Sequence, residues 1–439
     1  MIATFAHGPL RPAGSMTRAP QVKREITAEL ISIGDELLIG QTINTNAGWI
    51  GEQLALIGVR VVLVRVIGDD RETILRALAT AQADAVLITG GLGPTKDDIT
   101  KHTLCEFFGT RLKRHTDIEE RIAAFFNSIG REPLEVNLAQ ADLPESCTVV
   151  PNDRGTASGM WFNREGRVFV SMPGVPYEMK SMMEKHVLPE LRRAFDPPAI
   201  VHRTILTTGL GESHLAERIA AWEDSLAADA IKLAYLPSPG LVKLRLSTYA
   251  NNDPEGARDR VARKAEALYG LIPDLIFGEG EERLEQVVGR MLKARGQTLS
   301  LAESCTGGYV SHLVTGVPGS SAYFIGGVVS YANAVKMEEL GIPSDMLELN
   351  GAVSQPVVES MALGVRNALK TDWSIALSGV AGPDGGTEEK PVGTVWIAVA
   401  GPAGVAAVKV YFPGSRDLVI KRSALAALNM LRKSLIMRS

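Results

Sequence analysis

Cysteine is scarce: three residues in 439, Cys105, Cys147 and Cys305. They lie far apart and without the spacing of metal ligands, which argues against a disulfide framework and points to a reducing cytoplasm. Long apolar runs are also missing; none approaches the roughly 18 residues of a membrane-spanning helix. There is no excess of positive charge: 46 Lys and Arg against 50 Asp and Glu give a formal net charge of −4. With no basic patch and no aromatic platform, nucleic-acid contact is not expected. Acidic residues are absent from the first 24 positions, and so is the uninterrupted apolar segment of a signal peptide. With Arg11, Arg18, Lys23, Arg24 and three prolines, residues 1–24 read as a disordered tail, and Met16 is a candidate start.

What is present is the apolar and charged balance of a globular protein, in a chain too long for one core. From Ala28 strand and helix patterns alternate. Glu29-Leu30-Ile31-Ser32-Ile33 ends at Gly34-Asp35-Glu36; Ile50, Leu54 and Ile57 then mark one helical face. Val59 to Ile67 is a β-branched run stopping at Gly68-Asp69-Asp70, and Asp84 to Ile88 is a third strand. This order predicts a mainly parallel sheet with helices on both faces. A boundary near Asp196-Pro197-Pro198 opens a small α+β module, and a second boundary near Ile272 to Gly280 opens another α/β domain. The fold expected is therefore α/β: domains over 25–196 and 276–439, joined by a small α+β domain over 197–275. The middle module shows no site chemistry; Gly209-Leu210-Gly211-Glu212 is only weakly like a phosphate loop.

Two strand ends are loaded. In the first domain, the strand ending at Ile88 runs into Thr89-Gly90-Gly91-Leu92-Gly93-Pro94-Thr95-Lys96-Asp97-Asp98. Gly90, Gly91 and Gly93 let backbone amides approach an anion, and Thr95 and Lys96 complete a phosphate site. Asp97 and Asp98 would repel that phosphate unless a divalent cation lay between, with Asp35 as a further ligand. Asp69 and Asp70 read better as helix caps. Met172-Pro173-Gly174-Val175-Pro176 is either a pocket-shaping loop or plain punctuation.

In the last domain, Ala302-Glu303-Ser304-Cys305-Thr306-Gly307-Gly308 sits between a strand pattern, Gln297 to Leu301, and a helical one, Tyr309 to Val314. A hydroxyl there has helix N-terminal amides beside it as an oxyanion site, with Thr306 and Gly307 as donors. Two further strand ends converge on it, Tyr323 to Tyr331 leading into Ala332-Asn333-Ala334-Val335-Lys336, and Trp373 to Ser378 leading into Gly379 to Gly386. A lysine in the first turn of a helix is usually solvated, but the dipole and partial burial would bring its pKa down from about 10.4 and make it a base for serine. His312 lies too far along its helix to serve and reads as structural. Cys305 is the rival nucleophile, because a helix N-terminus lowers a thiol pKa.

With these residues assembled, the chain resembles the competence/damage-inducible CinA family from about Thr27 onward. The first half carries ISIGDELLIGQTINTN (31–46), TGGLGPTKDD (89–98) and MPGVPYEM (172–179). It is similar to the molybdopterin-binding MoaB/MogA-like fold, which in that family implies hydrolysis of ADP-ribose to AMP and ribose 5-phosphate with a divalent metal (Mg, Mn or Co). The alternative is a non-catalytic nucleotide- or pterin-binding regulatory module in a competence-linked interaction protein. The second half carries AESCTGG (302–308), SYANAVK (330–336), GAVS (351–354), SGVAGPDGG (378–386) and KPVGTVW (390–396). It is similar to the nicotinamide-nucleotide amidases, which convert nicotinamide mononucleotide to nicotinic acid mononucleotide and ammonia without a cofactor. The resemblance implies Ser304 as nucleophile, Lys336 as base, and a homodimer. Its motifs imply substrate contacts from Glu303, Thr306, Gly307, Gly308, Tyr331, Asn333, Gly379, Gly382, Asp384, Gly385 and Thr394.

Overall fold

The computed structural model describes residues 24–93, 98–250 and 253–437. The expectations for the tail, and for Thr95, Lys96 and Asp97, therefore lie outside the described residues, apart from Arg24, which pairs with Asp84 at 2.8 Å. The chain divides into two compact units. One comprises Met1–Ile200 with Tyr249–Glu255, and the other Val201–Thr248 with Gly256–Ser439. The architecture is α/β. No described helix is long and apolar enough to cross a membrane.

The first unit is built on a six-stranded sheet in the order Val59–Ile67, Ile26–Ile33, Ala85–Thr89, Arg167–Met172, Gly159–Arg164, Thr148–Val150. The first four strands run parallel, Gly159–Arg164 returns antiparallel to them, and Thr148–Val150 pairs antiparallel with Gly159–Arg164. The central strand Ala85–Thr89 is buried at every residue, as a parallel strand covered on both faces should be. Two separate apolar clusters, one around Leu30, Leu87 and Met182 and one around Ile31, Ile88 and Leu104, cover its two faces. Alternation along the strands assigns neighbouring residues to opposite cores.

In the second unit a five-stranded sheet runs Phe324–Val329, Leu299–Glu303, Trp373–Gly379, Thr394–Gly401, Gly404–Tyr411, with the first three parallel. A four-stranded sheet (Lys232–Ser238, Leu241–Tyr249, Ile200–Thr208, Ile276–Glu279) precedes it in sequence. The two share a core: Leu206 and Phe277 belong to the same apolar cluster as Leu301, Val399 and Leu428. The buried Arg432 guanidinium adds bonds to the carbonyls of Ile276 at 2.9 Å and Asp274 at 3.2 Å.

Candidate functional site

The strand that ends at the serine turn runs two residues further than the sequence pattern indicates, Leu299–Glu303. This changes the role of Glu303. Alternation puts it on the face of Leu299 and Leu301, under the helix Tyr309–Thr315, where it is 1% exposed. Its two oxygens accept from the backbone N–H of Gly308, Val310 and Ser311 and from the Ser311 hydroxyl, at 2.7–3.1 Å. The expected substrate contact is thus corrected to a positioning role: the carboxylate occupies the open amides of the helix start and has no lone pair turned to a ligand. Between strand and helix the chain must reverse within five residues. Gly307 (φ 60°) and Gly308 (φ 97°) make that reversal in the left-handed region that only glycine enters cheaply.

Ser304 is fixed at this bend by its own N–H, which donates to Leu377 O at 3.0 Å on the neighbouring strand. Lys336 comes from the helix Asn333–Leu340, which follows the adjoining strand Phe324–Val329. Its side chain is 1% exposed, and Nζ lies 3.2 Å from Ser304 Oγ, 2.6 Å from Ser330 O and 3.4 Å from Tyr331 O. No carboxylate is in ion-pair reach of Nζ among the described residues. Burial pushes the ammonium below its ordinary pKa, against a weaker opposing pull from Cys305. Nζ thus meets three oxygens; as the free amine it would donate two N–H groups to the carbonyls and turn its lone pair to the serine hydroxyl.

Ser304, Cys305, Tyr331, Asn333, Lys336, Gly379 and Arg416 line a cavity of about 200 Å³, closed by Ala352, Val353, Ser378 and Ala381. Thr394 is buried in its strand, Asp384 and Gly385 are exposed beyond the lining, and Gly382 is present only through its carbonyl, which accepts from Arg416 at 2.7 Å. Gly307 N–H donates to Ser304 O at 3.1 Å, so it is spent on the turn and is not an oxyanion donor; Thr306 N–H meets no acceptor among the described residues. The Thr306 hydroxyl is buried and also without a partner. The expectation for Cys305 is reversed. The thiol is 6% exposed and burial pushes its pKa up to about 12, which overrides the helix terminus. His312 is exposed and stacks on Tyr309. Arg416 escaped the sequence reading. It opens the last helix, Arg416–Ile436, and its Nη2 also donates to the Tyr331 hydroxyl at 2.9 Å. A cation at a helix N-terminus, where the dipole disfavours it, was the available signal.

In the first unit Gly90, Gly91, Gly93, Asp98 and Asp35 gather around a cavity of about 820 Å³. A Cβ on Gly90 would strike the Ile33 carbonyl oxygen, and one on Gly91 the Thr100 hydroxyl, so this backbone approach requires glycine. Pro173, Gly174, Val175 and Pro176 form part of the wall, held by Asn46 Nδ2 donating to Gly174 O at 2.7 Å; the loop shapes a pocket. Asp70 caps its helix as expected, accepting from Thr73 N–H at 2.8 Å. Asp69 does not cap. It lines the cavity, and burial, followed by the Asp35, Glu36 and Asp98 carboxylates, raises its pKa against the Asp35 N–H bond. Among the described residues no group of three or more His, Cys, Asp or Glu is arranged to hold a metal ion. A complete cation cage is therefore not made by Asp35, Asp69 and Asp98 alone.

Three family descriptions match in tandem: a probable molybdopterin binding domain over residues 29–193, a damage-inducible protein CinA KH domain over 202–278, and a CinA C-terminal domain over 281–435. A CinA-like protein of Flavobacterium psychrophilum is 45% identical over 413 residues, covering 93% of this chain and 98% of its own. The chain belongs to the CinA family. A CinA-like protein of Cytophaga hutchinsonii is 42% identical over 412 residues, with 93% and 98% covered. A crystal structure of a CinA superfamily protein from Klebsiella pneumoniae aligns with 36% of this chain and 99% of its own, at 31% identity and a TM-score of 0.34. Within this CinA chain the Ser304–Lys336 pair falls in the C-terminal match, and the glycine-lined cavity in the molybdopterin-type match.

Proposed function

We propose that the C-terminal site is a cytoplasmic amidase that hydrolyses nicotinamide mononucleotide to nicotinic acid mononucleotide and ammonia. The observation that carries this reading is a buried lysine, without a counter-ion among the described residues, 3.2 Å from a serine hydroxyl at a strand end. Neutral Lys336 accepts the Ser304 proton as Oγ bonds to the carboxamide carbon. The tetrahedral oxyanion faces the open Thr306 N–H. As the C–N bond breaks, the Lys336 ammonium returns its proton to the leaving nitrogen, which departs as ammonia. Water, deprotonated by the same amine, then cleaves the acyl ester and frees the carboxylate and Ser304. The cavity, about 200 Å³, is smaller than the roughly 300 Å³ at which ligand pockets begin. It therefore takes the carboxamide ring, and the ribose phosphate lies at its mouth, where Arg416 supplies a cation. Ammonia release from the mononucleotide by the full chain tests the reading, with Ser304→Ala as control. Absence of release from the unmodified chain, or equal release from the variant, overturns it.

For the N-terminal cavity we propose hydrolysis of ADP-ribose to AMP and ribose 5-phosphate, with a divalent cation (Mg, Mn or Co) added from solution. The raised Asp69 carboxyl among three other carboxylates supports cation uptake, and the uncapped glycine backbone supports a phosphate. Asn46 Oδ1 and Gln140 Oε1, buried and without a partner among the described residues, belong to lining residues and suit a ligand rich in donors. Binding without AMP release would favour the silent regulatory module. A homodimer is also proposed; exposed Ile325 and Val329 on the edge strand Phe324–Val329 support it, and light scattering tests it.

A further inference from the structure

The second unit holds another cavity, of about 770 Å³, which shares no lining residue with the Ser304 cavity. One wall is apolar. Val408, Val410 and Phe412 recur at every second position along the edge strand Gly404–Tyr411 and just beyond it, and Met430 and Ala426 face them from the last helix. Leu241 and Val242 close the wall from the preceding sheet.

The polar elements are few and point one way. Asn429 lines the cavity but is only 7% exposed. Its Oδ1 accepts from Arg432 Nε at 3.0 Å. A guanidinium has donors only, so the amide oxygen must face it and the NH2 must turn away. It turns toward Gly209: a Cβ built there would stand 3.5 Å from Nδ2. Among the described residues no acceptor meets that NH2. Arg432 cannot relax to release it, being 3% exposed and bonded to two carbonyls. Beside Gly209, Gly211 starts the 13-residue helix Glu212–Asp224 with no side-chain cap, so its first amides stay open. Lys433, one turn on from Asn429 and on the same face, and Arg422 add two cations; Glu212 is the one carboxylate in the lining.

We propose that this cavity is a binding site for a monophosphate carried on a flat apolar body, of the aryl phosphate class. The phosphate sits against Asn429 Nδ2, the Gly209–Gly211 backbone and Lys433, and the ring lies on the Val408, Val410 and Phe412 wall. A volume of 770 Å³ falls within the range of small-molecule sites.

The test uses the full chain with 13C-methyl methionine, the Met430 signal being assigned by Met430→Leu. Titration with 1-naphthyl phosphate is expected to shift Met430 saturably below about 1 mM. The uncharged 1-naphthol and Lys433→Glu should each weaken the shift about tenfold or more, and inorganic phosphate alone should give no saturable shift. Val408→Trp, at a position 41% exposed and so tolerant of bulk, should fill the cavity and abolish the shift while ammonia release is unchanged. No Met430 shift at about 1 mM, naphthol binding as tightly as its phosphate, or a shift that survives Val408→Trp overturns the proposal.

Discussion

At the end of the strand Ala85–Thr89, glycines and carboxylates surround a cavity of about 820 Å³; at the end of Leu299–Glu303, a serine and a lysine face one of about 200 Å³. Both lie where parallel strands end, and in both the leading influence on the key titratable group is burial. Its sign differs with the group. Removing water from Asp69 among other carboxylates raises its pKa, and a cation bound there, as proposed, would offset that cost. Removing water from Lys336, which has no carboxylate in ion-pair reach among the described residues, lowers its pKa and favours the free amine that the proposed mechanism needs. On the proposed reading the first cavity calls for a cation, and the second works with its own side chains.

The comparison breaks most visibly at the pair itself. Ser304→Ala or Lys336→Met should lower kcat/KM for ammonia release by about four orders of magnitude. Lys336→Met should not lower the melting temperature, because it replaces a buried amine by an apolar chain of similar length. An unstable Lys336→Met, seen by calorimetry, would mean that the carbonyl bonds outweigh the cost of burying nitrogen. Chelation sharpens the contrast: EDTA should reduce AMP release from ADP-ribose to background and leave ammonia release unchanged in the same sample. A smaller effect is expected at the cavity mouth. Arg416→Ala should raise KM for the mononucleotide about tenfold or more, with kcat changed less, because it removes a contact made equally in ground and transition states. Smallest is Cys305→Ala, which should keep activity within about twofold; a thiol held near pKa 12 has little thiolate at neutral pH.

The strand and helix order, the glycine turns and the Ser304–Lys336 pairing were legible because they depend on local period and on residues that punctuate it. Features set by depth were not. Cys305 has the sequence position of an activated thiol, yet it lies inside the apolar cluster of Leu301 and Val310, and burial decides its pKa. Glu303 reads as loop chemistry until strand pairing with Val329 and Leu377 extends the strand through it and turns its carboxylate inward. Arg416 enters the site from 80 residues beyond Lys336, across two antiparallel strands that no local pattern aligns with the serine turn. Asp69 and Asp70 are adjacent in sequence, and only the fold separates the cavity residue from the cap.

The central claim is that a neutral Lys336 takes the proton from Ser304, and the pH dependence of kcat/KM for ammonia release tests it most directly. Because only the deprotonated amine accepts a proton, and burial lowers its pKa, the rate should rise with pH through a midpoint below the roughly 10.4 of free lysine. Lys336→Met should show no such limb in its residual rate. A midpoint at or above that of free lysine, or the same limb persisting in Lys336→Met, would contradict the account.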